Sequence, residues 1–212
     1  MAESVKDNIV AKALRCIDEV YPAENALNES FYATDDFIGE AVRWVIDNVP
    51  VHVFPVLDAT QVEFARSEYN EGYGYGVLSE ELNGRIIFVK DIKWKRPVLD
   101  IIYDTDVRYR QQQNRVLRGN NSHPVAVIAR GSSALEWYPA TIDSFDIQTI
   151  DGETVYKPKI EVYKAPYDTE YIPSHLIDIT AWKLAEIVLT SMHDIQSASI
   201  CTAKVNEHLS QL

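Results

Sequence analysis

The hydrophobic period of the chain changes twice, and that limits its possible folds more than any other feature. Near the N-terminus, Val5, Ile9, Ala13, Ile17 and Val20 recur at helical spacing and predict a first helix over Ser4–Val20. Ser4, with Asp7 three residues on, has the form of a capping arrangement, and Pro22 ends the element. A second helix is expected to open at Thr34 as N-cap, with Asp35 and Asp36 in its electropositive first turn. Ile38, Ala41, Val42, Val45, Ile46 and Val49 form its buried side, and Pro50 stops it. The helical period returns only after Ile172. There Pro173 suits a first helical position, and Leu176, Ile177, Ala181, Leu184, Ala185, Val188, Leu189 and Met192 make a broad apolar face. A break near Asp194 separates this helix from a last one, whose stripe of Ala198, Cys201, Val205, Leu209 and Leu212 reaches the final residue.

The intervening stretch reads as strands. Arg85–Lys93, Val125–Ala129, Leu135–Tyr138, Phe145–Ile150 and Thr154–Tyr163 have β character, and Asp151-Gly152 marks a hairpin between the last two. Leu99–Tyr103 (LDIIY) is open between helix and strand. VHVFPV (51–56) is expected as a short extended piece kept at an edge by Pro55, and Gly72, Gly74 and Gly76, interleaved with Tyr73 and Tyr75, as a turning connection. The expected fold class is α+β: N-terminal helices (1–50) and C-terminal helices (172–212) forming a bundle around an inserted, largely antiparallel β region (51–171).

Composition narrows the classes of function. No apolar run approaches the 18 or so residues of a membrane span, and the opening MAESVKDNIV is too polar for a signal peptide, so a cytosolic site of synthesis and no membrane partner are expected. Two cysteines, Cys16 and Cys201, exclude a disulfide framework and a cysteine-only zinc site; both fall on helical stripes and read as buried hydrophobes. The net charge of −12 opposes nucleic-acid wrapping as the main task. Its distribution is uneven: 5 basic and 16 acidic residues over 1–83, 10 and 4 over 84–130, 5 and 12 over 131–212. A basic centre between acidic flanks suits a subunit that meets acidic neighbours or copies of itself head to tail.

Motifs for bond chemistry are missing. His52, His123, His175, His193 and His208 are scattered without metal-ligand spacing, and Asp104 and Asp106 form a lone DxD better read as a turn or salt-bridge pair. Ser132-Ser133 lacks a nucleophile-elbow frame, and the glycines near 72–76 lack a nucleotide-loop spacing. No catalytic residue, metal site or cofactor is therefore assigned, although an enzyme of unrecognised class stays open and would need a deep pocket with convergent polar groups.

What stands out is the block WKRPV (94–98), YRQQQN (109–114), RG (118–119) and HPVAVI (123–128), where arginines interleave with Trp94, Tyr103 and Tyr109. Three readings apply. Arginine and aromatics anchor protein interfaces, with Trp94, Arg96, Tyr109, Arg110 and Arg118 as subunit contacts. The same block over 94–118 can bind single-stranded nucleic acid by stacking and basic contacts. It can also be a solvated loop held by Asp91, Asp100, Asp104 and Asp106.

These segments, with the preceding GYGYGVLSEELNGRIIFVKDIK and the later IPSHLIDITAWKLAEIVLTSMHD, resemble the head-to-tail connector ring proteins of crAss-like tailed bacteriophages, and more distantly the tail gatekeeper and tubular proteins of short-tailed phages. The resemblance spans a little under half the chain. It implies a virion structural protein at the head–tail junction, made in the host bacterial cytoplasm, with no bond chemistry. About twelve copies would form a ring below the portal protein. Adjacent ring or tail proteins would be further partners, and genomic DNA would pass through the channel unbound. The last helix would engage the portal, giving Val205, Leu209 and Leu212 as portal contacts. Such a ring would carry on the order of −140 formal charges and repel DNA phosphates during transit.

Overall fold

The computed structural model describes residues 4–20, 34–56, 59–79, 82–129, 133–150 and 152–212. Pro22, the polar stretch after it, Ser132 and Asp151 lie outside the described residues. The fold is α+β, and the chain divides into a helical unit, residues 1–53 with 166–212, and a β unit, residues 54–165. The segment 166–171, expected within the β region, belongs to the helical unit. There Tyr167 donates from its hydroxyl to Asp47 at 2.7 Å, and the 3₁₀ turn Thr169–Tyr171 packs on the first two helices.

In the helical unit, α1 (Val5–Val20) and α2 (Thr34–Asn48) bury the expected stripes. The Ser4 hydroxyl accepts the Asp7 N–H at 3.1 Å, satisfying one of the donors a helix start leaves unpaired. Helix α4 (Ile177–Ser191) is apolar on nearly every side and packs against α1, α2 and α5 (Ile195–Leu209). Pro173 precedes a 3₁₀ turn, Ser174–Leu176, that leads into α4. The break between α4 and α5 has a local cause. His193 takes a positive φ of 63°, and the Asp194 carboxylate then accepts the Ser197 N–H as N-cap of α5. Hydrogen bonds from the Ser197 side chain and then its backbone N–H lower the Asp194 pKa. Cys16 and Cys201 are buried, and burial pushes both thiols up to about 12. No described helix is long and apolar enough to cross a membrane.

Among the described residues the strands form three sheets. Strands β2 (Phe64–Asn70), β3 (Tyr73–Leu78), β7 (Ala134–Tyr138), β6 (Val125–Ile128) and β5 (Ile102–Tyr103) form one of five strands in that spatial order, antiparallel except for β5 with β6. Strands β1 (Thr60–Gln61), β10 (Ile160–Pro166) and β4 (Gly84–Asp91) make a second, and β8 (Phe145–Ile150) with β9 (Glu153–Pro158) a hairpin. Gly152, at φ +84°, supplies the left-handed turn of that hairpin.

Three expectations need correction. VHVFPV is not extended: Val51–Val53 form a 3₁₀ turn. The single strand expected over 154–163 is two, β9 and β10, belonging to different sheets. The glycine–tyrosine segment is not a connection but β3, an inner strand of the five-stranded sheet. Its glycines are needed by packing. A Cβ on Gly74 would lie 2.1 Å from the Trp137 ring, and one on Gly76 would lie 2.4 Å from Phe64. Alternation then sends the larger residues of β3 to the opposite face, where Tyr73 stacks on Tyr138 at 5.2 Å.

Candidate functional site

The five-stranded sheet has two dissimilar faces, and the arginine block is built on one of them. Leu135, Trp137, Ala126 and Ile128 point into the main core of the β unit with Trp94, Phe145 and Val162. Tyr138, Val127 and Ile102 form the other face, with Tyr73, Tyr109 and Val125 packed against them. Above it lies α3 (Val107–Gln112), a two-turn helix capped by Asp106, whose carboxylate accepts the Arg108 N–H at 2.8 Å. The DxD aspartate Asp106 is thus a capping residue. Hydrogen bonds from the Arg108 side chain and then its backbone N–H lower the Asp106 pKa. The same guanidinium pairs with Asp100 at 2.7 Å, and these contacts raise its own pKa.

Several residues expected at a subunit contact are instead internal clamps. Trp94 is only 4% exposed, and its indole N–H donates to the Pro139 carbonyl at 2.9 Å, so it belongs to the core and not to an interface. Arg118 is half-buried; its Nε donates to the Gln112 carbonyl and its Nη1 to the Glu71 carbonyl, both at 2.9 Å. Its guanidinium also lies 5.7 Å from the Tyr73 ring centre and 5.5 Å from that of Tyr138. Its donors therefore hold the 112–119 loop on the sheet. Gln112, buried beneath, accepts the Gly119 N–H at 2.8 Å and donates to the Arg108 carbonyl at 3.1 Å.

Tyr109 is half-buried and donates to Glu136 Oε1 at 3.3 Å, while Tyr138 donates to Glu136 Oε2. Burial, then the Glu136 carboxylate, raises both phenol pKa values, in keeping with their role as donors to Glu136. Arg96 and Arg110 differ from the rest of the block: both are exposed, and neither makes an ion pair or hydrogen bond among the described residues.

Around them lies an apolar surface that the sequence reading missed. Val107 is 76% exposed, Val116 89% and Leu117 60%, with Leu99 and Tyr103 also exposed. Single apolar residues inside polar turns (DTDVRYR, NRVLRGN) are the signal that was available. Leu99, Leu117, Arg96, Arg108, Arg118 and His123 line an open groove of about 660 Å³ on the β unit. Its arginines, apart from Arg96, are occupied by internal partners. No cluster of three metal-ligating side chains occurs among the described residues.

In the helical unit, Val205 is buried in the helix packing and cannot face a partner, a correction to its expected role. Leu209 and Leu212 are half-buried, and Ile195 and Ile200 are large exposed apolar residues of α5. No family model and no curated protein matches the chain.

Proposed function

We propose that this chain is a head–tail connector subunit of a tailed phage, a structural protein whose copies form a ring beneath the portal and extend the channel for genomic DNA. One observation carries the self-assembling part of this reading: the exposed Val107, Val116 and Leu117 lie in the same block as the unpaired Arg96 and Arg110. Apolar side chains flanked by arginine are the composition of protein interfaces. The acidic partner such a surface needs is present in the chain itself, since the helical unit carries 6 basic and 16 acidic residues. The phage assignment rests on the resemblance of residues 70–130 and 170–212 to connector proteins.

The rival readings find less support. Stacking on successive nucleic-acid bases needs several exposed aromatic faces beside the arginines; Tyr103 is exposed, but Trp94 is buried and Tyr109 is half-buried against the sheet. An enzyme of unrecognised class needs a pocket with convergent polar groups free to meet a substrate, and two of the groove's three arginines are tied to internal partners.

Sedimentation velocity over a range of concentrations, alone and with purified portal rings, tests the proposal, with a short single-stranded DNA as control. The expected result is a discrete species of about twelve copies, alone or on the portal. A chain that stays monomeric, ignores the portal and binds DNA with a steep salt dependence would overturn it.

A further inference from the structure

Helix α2 contains a residue that its own fold does not explain. Gly39 sits in the helix interior, where glycine is disfavoured because it gains no packing and leaves the unfolded backbone unusually free. It is exposed, and a Cβ built on it meets no described atom within 4 Å. Nothing within the described chain therefore requires a glycine there. Around it on the same helix surface lie Asp36 and Glu40, three residues before and one after. Both are exposed, and neither has an ion pair among the described residues; Asp35 beside them is already held by Lys6 at 2.7 Å. A bare backbone patch edged by two free carboxylates is the complement of an apolar knob edged by free arginines.

That knob is on the β unit. Val116 and Leu117 project from the 113–118 turn, which Arg118, Gln112 and the Asn114 side chain hold in place; the last accepts the Val116 N–H at 2.9 Å. A projection kept rigid in this way loses little entropy on docking. Arg96 lines the same groove as Leu117, and Arg110 lies on the adjoining α3. We propose that the 107–118 segment of one copy docks on the α2 surface of a second copy, with Val116 and Leu117 over Gly39 and Arg96 and Arg110 meeting Asp36 and Glu40. The two surfaces are different, so the contact is heterologous and propagates from copy to copy, as a ring requires. The inference rests on the self-assembly reading above and names its contact.

Cross-linking tests it directly, because both native cysteines are buried with thiol pKa values near 12 and stay unreactive in the folded chain. A chain carrying Gly39→Cys and Leu117→Cys, oxidised under assembling conditions with portal rings present, should give a ladder of covalent multimers on a non-reducing gel. Either substitution alone should give no ladder. As a second measurement, Gly39→Leu should weaken self-association at least about tenfold. Arg96→Glu should weaken it similarly, and adding Glu40→Arg to the same chain should restore it. No ladder and no effect of Gly39→Leu, with the unmodified chain assembling normally, would overturn the named contact and leave the ring reading standing. Failure of the unmodified chain to assemble with or without portal rings would overturn both.

Discussion

The helical and β units use polar side chains in opposite ways. In the helical unit the backbone is satisfied within each helix, and the polar residues it buries, Thr34, Thr180 and Ser197, are few and small; Thr180, for instance, bonds back to the Leu176 carbonyl at 2.7 Å. Its described charged residues are exposed or half-buried, and the unit carries 16 acidic against 6 basic residues. The β unit has short strands joined by irregular connections, and it ties those connections down with polar side chains: Arg118 and Gln112 on the 112–119 loop, Trp94 on Pro139, and Asp91 on Ser144 at 3.0 Å. A connection crossing a sheet has no helix to satisfy its carbonyls and N–H groups, so side chains must do it. Several of the block's conspicuous arginines and glutamines are thus a structural requirement of the β unit, and within the block Arg96 and Arg110 are the arginines without an ion pair or hydrogen bond among the described residues.

The sharpest way to test that division is to remove a clamp that resembles a contact. Trp94→Ala deletes a buried ring and leaves the Pro139 carbonyl without its donor, and is expected to cost about 4 kcal/mol of folding stability. Urea denaturation followed by circular dichroism measures it; a loss below 1 kcal/mol would return Trp94 to the list of surface residues. Next in size is Gly74→Ala. The added methyl would overlap the Trp137 ring, which has no room to retreat in a packed core, and the expected cost is about 3 kcal/mol by the same measurement.

Arg118→Ala is expected to cost about 2 kcal/mol, from two charge-assisted bonds to carbonyls and the contact with two tyrosine rings. Arg110→Ala should change stability by less than about 0.5 kcal/mol, because no bond is lost. Equal effects of the two substitutions on unfolding would erase the distinction between clamp and free arginine.

These contrasts show where the sequence could be read and where it could not. The helices were legible because one buried stripe at a period of 3.6 determines a helix without knowledge of its neighbours; α1, α2, α4 and α5 all fall where that stripe runs. Strand β3 was missed because glycine's turn propensity outweighed a period-two pattern visible in Tyr73-Gly74-Tyr75-Gly76-Val77. The reason for the glycines lies in Trp137 and Phe64, remote in sequence, and no local pattern carries that information. Asp106 followed by VRYRQQ held a readable cap for α3 beside the turn or salt-bridge role expected of it, and the aspartate both caps the helix and pairs with Arg108. In the arginine block the residue types drew attention to the segment. They could not show which arginines were consumed by carbonyls, since those partners lie up to 47 positions away, as Glu71 does from Arg118.

One expected effect has the opposite sign. Gly39 and Gly74 look equivalent as single glycines inside regular elements, yet one is crowded by a ring and the other faces open space among the described residues. Replacing Gly39 by alanine meets no steric obstacle, removes backbone freedom from the unfolded chain and adds a better helix former, so a gain of about 0.8 kcal/mol is expected. In a chain of this length that moves the thermal midpoint upward by about 3 °C, readable by calorimetry on the unassembled protein. If the midpoint falls instead, Gly39 is required by packing inside its own chain, and the two glycines are alike after all. If it rises, the glycine costs the monomer stability without an internal return, and its use has to be sought in what approaches α2 from outside.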